Sequence, residues 1–206
     1  MPPPSLDARQ EEALRVYLGE LERWNRATNL TAVPPSDYWR RHVDESLTLL
    51  EVAAPPRGAA IVDVGSGAGL PGVVVAIARP DLRVTLIESV RRKAAFLTHV
   101  AGVLALANVT VANVRAEVAG HDATMREHFH IALSRAAAPP GRLVELALPL
   151  LTHGGVLVAA VADPHVAAVA CRAAALQTGG GEPAAHATCI VVAKLSPTPL
   201  RYPRRR

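Results

Sequence analysis

Apolar positions along this chain recur with two different periods. Over residues 7–26, Leu14, Leu18, Leu21 and Tyr17 or Trp24 return at three- and four-residue spacing with charged residues between them, which predicts an amphipathic helix. Ser5-Leu6-Asp7 offers cap residues just before it. Residues 29–33 read as a short loop. Pro34-Pro35-Ser36 then opens a second helix, with Trp39, Val43, Ser46, Leu47 and Leu50 on its buried side. It stops before the turn-rich Pro55-Pro56-Arg57-Gly58. Residues 1–55 are thus expected to form a small helical appendage, and residues 56–206 a separate domain.

From residue 59 onward, short runs rich in β-branched residues alternate with helical stretches. Strands are expected over 59–64, 83–88, 109–114, 130–135 and 156–161. Helices are expected over 71–79, 90–106, 142–151 and 162–175. Residues 120–128 read as helix or loop, His153-Gly154-Gly155 as a turn, and 188–194 as a last strand in a terminal hairpin. Alternation of this kind marks an α/β fold with a mostly parallel sheet.

The most informative stretch joins the first of these strands to its helix: Ile61-Val62-Asp63-Val64-Gly65-Ser66-Gly67-Ala68-Gly69-Leu70-Pro71-Gly72. A buried strand, a glycine turn and a helix form the front of a nucleotide-binding unit. Glycines keep side chains out of the space between backbone and ligand, and the new helix is expected to offer free N–H groups. Gly67-x-Gly69-x-x-Gly72 alone fits a dinucleotide site. Asp63, just before the glycines, would repel a pyrophosphate and favour a cation, which tilts the reading toward S-adenosylmethionine (AdoMet). The alternative for Asp63 is a capping role within the loop. Glu88, at the tip of the second strand, is placed to accept hydrogen bonds from ribose hydroxyls, which suits NAD and AdoMet equally.

Composition narrows the setting. Half of the 206 residues are hydrophobic, enough for one sizeable core. No apolar run is long enough to span a bilayer, and the first residues lack a secretory pattern. Cys171 and Cys189 have no metal-ligand spacing around them, so neither metal nor membrane is expected and a reduced cytoplasm is the simplest location. The net charge of +4 is modest but clustered: Arg40-Arg41-His42, Arg91-Arg92-Lys93, and Arg201, Arg204, Arg205 and Arg206. Such clusters allow a polyanionic partner.

Further motifs carry a family resemblance. They are Trp24-Asn25-x-x-x-Asn29-Leu30-Thr31-Ala32, Arg41-His42-x-x-Glu45-Ser46-Leu47, and Asp63 through Gly72. Arg91-x-Lys93 with Phe96-Leu97, Arg115-Ala116-Glu117, Ser134-Arg135-Ala136 and Tyr202-Pro203-Arg204 complete the set. Together they resemble the RsmG (GidB) family of small-subunit ribosomal RNA methyltransferases over nearly the whole chain. The resemblance implies a Rossmann-like AdoMet-dependent methyltransferase fold and methyl transfer to N7 of a guanine in 16S rRNA, on naked RNA, a small subunit or an assembly intermediate. It implies that Gly65, Gly67 and Leu70 line the path of the ligand, that Glu88 holds the ribose beside Ser89 and Val90, and that Ala116 and Glu117 meet the adenine. Arg135 is implied at the reaction centre, with a salt bridge as its alternative role, and His42 is the one histidine expected near function. The chain departs from the family pattern at Val161-Ala162, where Lys-Gly is usual, and at Glu45, where Asp is usual. Two rival readings stand beside this one: an NAD-dependent oxidoreductase, and a non-catalytic RNA-binding or ribosome-assembly protein on a methyltransferase scaffold.

Overall fold

In the computed structural model the described residues are 6–135 and 137–204. The Pro2–Pro4 lead, Ala136 of the Ser-Arg-Ala motif, and Arg205 and Arg206 of the basic tail lie outside them. Seven strands form one sheet: β1 (Ala60–Val64), β2 (Arg83–Ile87), β3 (Val109–Ala112), β4 (Phe129–Arg135), β5 (Leu151–Ala160), β6 (Ala184–His186) and β7 (Cys189–Ala193). Their spatial order is β3-β2-β1-β4-β5-β7-β6. The first five pair in parallel, and β7 runs antiparallel to both β5 and β6. The order reverses between β1 and β4. In open α/β sheets such a reversal opens a crevice beyond the carboxyl ends of the strands.

Among the described residues, seven α-helices surround the sheet: α1 (Ala8–Thr28), α2 (Glu45–Ala53), α3 (Gly72–Ala78), α4 (Arg91–Val103), α5 (Ala116–Ala119), α6 (Pro140–Ala147) and α7 (Pro164–Gln177). Strand residues alternate between the two faces. Ile61, Leu86 and Leu133 enter one apolar cluster with α1 to α4. Val62, Ile87 and Ala132 enter a second with α5, α6 and α7. Both faces are covered, which is why the parallel strands read as nearly continuous apolar runs.

The N-terminal helices share the first of these clusters rather than keeping a core of their own. Leu14, Tyr17, Leu21, Val43 and Leu47 pack with Leu70, Val73 and Val74. Asp7 caps α1 in a reciprocal box with Gln10, whose Nε2 also donates to Ala78 O at the end of α3 (2.9 Å). The second predicted helix is not uniform. Residues 35–37 form a 3₁₀ turn and Trp39–Asp44 a π-helical turn before α2 proper begins. The wider turn carries His42 to a fully buried position, and π turns are often found where a side chain is re-aimed for function. His153-Gly154-Gly155, expected as a turn, lies inside β5, where the pairing with β4 slips in register and Gly154 takes φ 78°.

Candidate active site

A cleft of about 590 Å³ opens at the carboxyl edge of the sheet, between the ends of β1, β2, β3 and β4. Its size fits a small-molecule ligand. Its floor is the glycine loop after β1. Gly65 N and Ser66 N both donate to Ile87 O (3.0 Å each), which pins the loop to the end of β2. Gly65 has φ 74°, and a Cβ there would lie 2.5 Å from the Cβ of Ala137, so glycine is required on both counts. The fully buried Tyr17 donates its hydroxyl to Ala68 O (2.8 Å), tying α1 to the same loop. Helical spacing alone predicts no more for Tyr17 than a place on the buried face of the first helix.

Glu88 is buried at the tip of β2, and both of its carboxylate oxygens are already engaged. Oε2 accepts from Gly67 N (2.9 Å) and Oε1 from Val90 N (2.6 Å), while Asn113 Nδ2 donates to the Glu88 carbonyl (2.7 Å). The carboxylate is thus locked in place before any ligand arrives. Each oxygen keeps a further lone pair with which to accept a hydroxyl. Gly65, Gly67, Leu70, Glu88, Ser89, Ala116, Glu117 and Arg135 all line the cleft. Val90 does not. It is half exposed outside the cleft and contributes only its N–H to Glu88.

Asp63 also differs from expectation. Its alternation with Ile61 turns it under the start of α3, where it is fully buried behind the loop and outside the cleft lining. Oδ2 accepts from Gly72 N (3.0 Å), and Oδ1 has no partner among the described residues. The first N–H of α3 is therefore taken by Asp63, and Val73 N is taken by Gly69 O (2.8 Å), so neither is offered to a ligand. A buried carboxylate must find a donor, and the helix terminus is the nearest. Burial pushes the Asp63 carboxyl up to about 7, despite the Gly72 hydrogen bond. Asp63 thus fixes the start of α3 behind the glycine loop and reaches the cleft only indirectly.

This shift has a measurable consequence. Below the ordinary value of 3.8 both folded and unfolded chains hold the Asp63 proton; between 3.8 and about 7 only the folded chain holds it. Its contribution to stability is therefore present in acid and is lost as pH rises through about 7. A cationic ligand favours the ionised form. AdoMet affinity should accordingly climb between about pH 6 and pH 7.5 and then level off. Asp63→Asn should flatten that climb in calorimetric titrations; a climb of the same size in the variant would remove Asp63 as its source.

Arg135 ends β4 and knots the N-terminal region to the cleft. Its Nη1 donates to Arg41 O (2.5 Å) and meets Glu45 Oε2 (3.3 Å), and its Nη2 faces His42 Nδ1 (2.9 Å). The salt bridge and the place in the cleft wall thus coexist. An arginine can only donate, so His42 Nδ1 accepts and the imidazole proton sits on Nε2, 3.1 Å from Thr31 Oγ1. Asn25 holds Thr31 in turn: Oδ1 accepts from Thr31 N and Nδ2 donates to Thr31 O (2.9 Å each). Burial first, then the Arg135 charge, pulls His42 down to about 4, so it is neutral at pH 7. Asn25, Thr31 and His42, all motif residues of the first 47 positions, therefore form one hydrogen-bonded chain ending at Arg135.

Two residues in this region had no signal beyond helical spacing. Arg142, at the start of α6, reaches the cleft wall and bonds Glu117 Oε1 (2.7 Å) and Glu145 Oε1 (2.5 Å). Glu145 is a nearly buried carboxylate. Burial raises the Glu117 carboxyl, but its own backbone N–H and Arg142 more than offset this and leave it below the usual range. Beyond Arg135 a second cleft of about 810 Å³ opens, walled by Arg41, Glu45, Leu49, Val161, Asp163 and Val166. Among the described residues no three or more His, Cys, Asp or Glu cluster as metal ligands, and no helix is long and apolar enough to cross a membrane.

The sheet order and the cleft define a Rossmann-like fold of the kind found in S-adenosylmethionine-dependent methyltransferases. A SAM-dependent O-methyltransferase from Thermotoga maritima superposes with a TM-score of 0.59 at 13% identity, over 89% of this chain and 72% of that one. Sequence comparison goes further. The family model described as rRNA small subunit methyltransferase G (GidB) matches residues 10–192. Ribosomal RNA small subunit methyltransferase G of Roseiflexus castenholzii is 41% identical, over 97% of this chain and 89% of the relative. That of Chloroflexus aggregans is 38% identical, over 97% and 88%. The chain belongs to the rRNA small subunit methyltransferase G family.

Proposed function

We propose that this protein transfers a methyl group from AdoMet to N7 of a guanine in 16S rRNA. The observation that carries the cofactor assignment is Glu88, a buried carboxylate fixed by two backbone N–H groups at the cleft floor. The residues present fit AdoMet. Glu88 accepts from the ribose, the glycine loop admits the chain of the amino acid, and the Asp63 charge favours a cation. Ala116 and Glu117 border the nucleoside end. When bound, AdoMet supplies a methyl group carried on a sulfonium.

Guanine N7 has a free lone pair, so no proton must leave before attack. The protein's task is then placement and electrostatic match. The site agrees. His42, the histidine that meets Arg135, is neutral, buried and bonded at both ring nitrogens, and Asp63 lies outside the cleft. Arg135 divides the cofactor cleft from the second cleft and lines both. In this reading the target base enters the second cleft, with Arg41 and Arg135 facing RNA phosphate or the base edge. Val161-Ala162 there replaces the Lys-Gly usual in the family, which leaves these arginines with more of the work.

The decisive test is incubation of the protein and labelled AdoMet with unmethylated small subunits, naked 16S rRNA and assembly intermediates, followed by mapping. One N7-methylguanine per 16S rRNA is expected. Binding of RNA without label transfer would favour a non-catalytic assembly factor instead. Single-turnover rates at saturating AdoMet should stay nearly flat from about pH 6 to pH 8.5. A tenfold rise per pH unit would require a general base and a target other than N7.

A further inference from the structure

After β7 the chain does not leave the fold. Thr198 N donates to Glu127 Oε1 (2.8 Å), and Thr198 Oγ1 donates to Thr178 O (2.7 Å). The fully buried Lys194 supports this point by donating to Leu148 O (2.7 Å) and Thr198 Oγ1. Arg126 reaches across with Nη1 on Gly120 O (2.6 Å) and Tyr202 O (2.8 Å), and Nη2 on Thr198 O (2.6 Å). His121 Nε2 meets Pro203 O (2.8 Å), and the Tyr202 hydroxyl donates to Gln177 Oε1 (2.9 Å). Contact is close: a Cβ on Gly120 would lie 2.6 Å from Pro203 Cδ. Residues 198–204 are thus a strap fixed across the ends of α5 and α7.

The strap ends on the back of the cofactor cleft. Arg204 gives Glu145 three bonds: N to Oε1 (2.8 Å), Nε to Oε2 (3.0 Å) and Nη2 to Oε2 (2.5 Å). Glu145 in turn takes Arg142 Nη1 (2.5 Å), and Arg142 Nη2 divides itself between Glu117 Oε1 (2.7 Å) and Arg204 O (3.0 Å). Arg142 and Glu117 line the cleft. The Glu145 carboxylate is nearly buried, so its lone pairs need donors. With Arg204 present, four N–H groups satisfy it and one arm of Arg142 is left for Glu117. Without Arg204, Oε2 has no donor and Arg142 is drawn toward Glu145. Arg204 therefore serves an acidic partner inside the protein, whereas its sequence context among arginines only allowed a polyanionic partner or a solvated surface.

We propose that Arg204 and Glu145 are positioning residues for the nucleoside end of the cofactor cleft, acting through Arg142 on Glu117. The inference rests on the reading that this cleft takes AdoMet. It makes the C-terminal strap part of the cofactor site, even though the strap contributes no lining residue.

The test is calorimetric titration of the full chain with AdoMet, beside initial-rate kinetics on small subunits and thermal melts. Arg204→Ala should raise the Kd for AdoMet about threefold to tenfold, the lower part of the range of coupling between groups in one network. At saturating AdoMet, kcat and the KM for subunits should stay within about twofold. Arg204→Lys should recover part of the affinity, because an ammonium keeps the charge but not the two-pronged contact. A variant combining Arg204→Ala with Glu117→Gln should bind no worse than Glu117→Gln alone. Unchanged AdoMet affinity in Arg204→Ala, additive losses in the double variant, or a rise confined to the KM for RNA would each overturn the proposal. If Arg204→Ala melts too low to titrate, the same comparison is made with Arg204→Lys, where unchanged affinity overturns it. Failure of the parent protein to bind AdoMet would instead remove the reading of the cleft.

Discussion

Replacing Glu88 with alanine is expected to weaken AdoMet binding by about 1–3 kcal/mol, a loss of roughly fivefold to somewhat over a hundredfold. Two effects add. The ribose loses its acceptor, and Gly67 N and Val90 N lose theirs, so the glycine loop at the cleft floor loses this hold and keeps its bonds to Ile87 O and to Tyr17. Glu88→Gln separates them. Its amide keeps one acceptor oxygen, so one of the two backbone bonds survives while charge is lost. Its loss should fall between the parent and the alanine variant. Calorimetry with AdoMet and with the demethylated product reads both; unchanged affinity for either ligand in Glu88→Ala would take this carboxylate out of the site.

Arg135→Ala should have the larger effect on turnover, slowing single-turnover methyl transfer by about a hundredfold, the scale of losing one fixed donor at a reaction centre. The same change leaves Arg41 O without the guanidinium and the buried His42 Nδ1 without its donor. A folding cost of about 1–3 kcal/mol should accompany it. Arg135→Lys is not a mild substitute, because one ammonium cannot span acceptors on Arg41, His42 and Glu45 with a planar fork. Rates at saturating AdoMet and RNA, with melting temperatures alongside, distinguish the roles. A destabilised variant with parental single-turnover rate would make Arg135 a structural clasp alone.

Much of this architecture was legible because it rests on local pattern. The strands from β1 to β4 and the glycine loop follow from β-branched runs, turn residues and period. The carboxylate at the tip of β2 was found because position along a strand predicts where a side chain emerges. The direction of Asp63 was harder. Alternation shows that Asp63 and Ile61 share a face, but only packing shows that α3 covers that face and uses up the carboxylate. The π-helical turn at Trp39–Asp44 has no sequence signature of its own, since the same residues fit an ordinary helix. The contacts of Arg142, Glu145 and Arg204 join residues far apart in sequence, and charge spacing within α6 could not reveal their third member. The basic tail allowed either a polyanionic partner or a solvated surface, because sequence shows charge and not its partner; the Arg204 pairing with Glu145 was hidden for the same reason.

Tyr17 gives the N-terminal region a meaning beyond packing. Its hydroxyl holds the glycine loop at Ala68, and its ring sits among Leu14, Leu21 and Leu70 in a core that runs continuously into the sheet. Melting of helix α1 and opening of the loop are therefore expected to be coupled as one local opening unit, although Tyr17 and Ala68 lie 51 positions apart in sequence. A chain cut at residue 56 to isolate the α/β portion would lose the helical half of that unit and expose the apolar flank of α3 and α4. The helices read in the sequence as an appendage thus share one continuous apolar cluster with the sheet and reach the glycine loop.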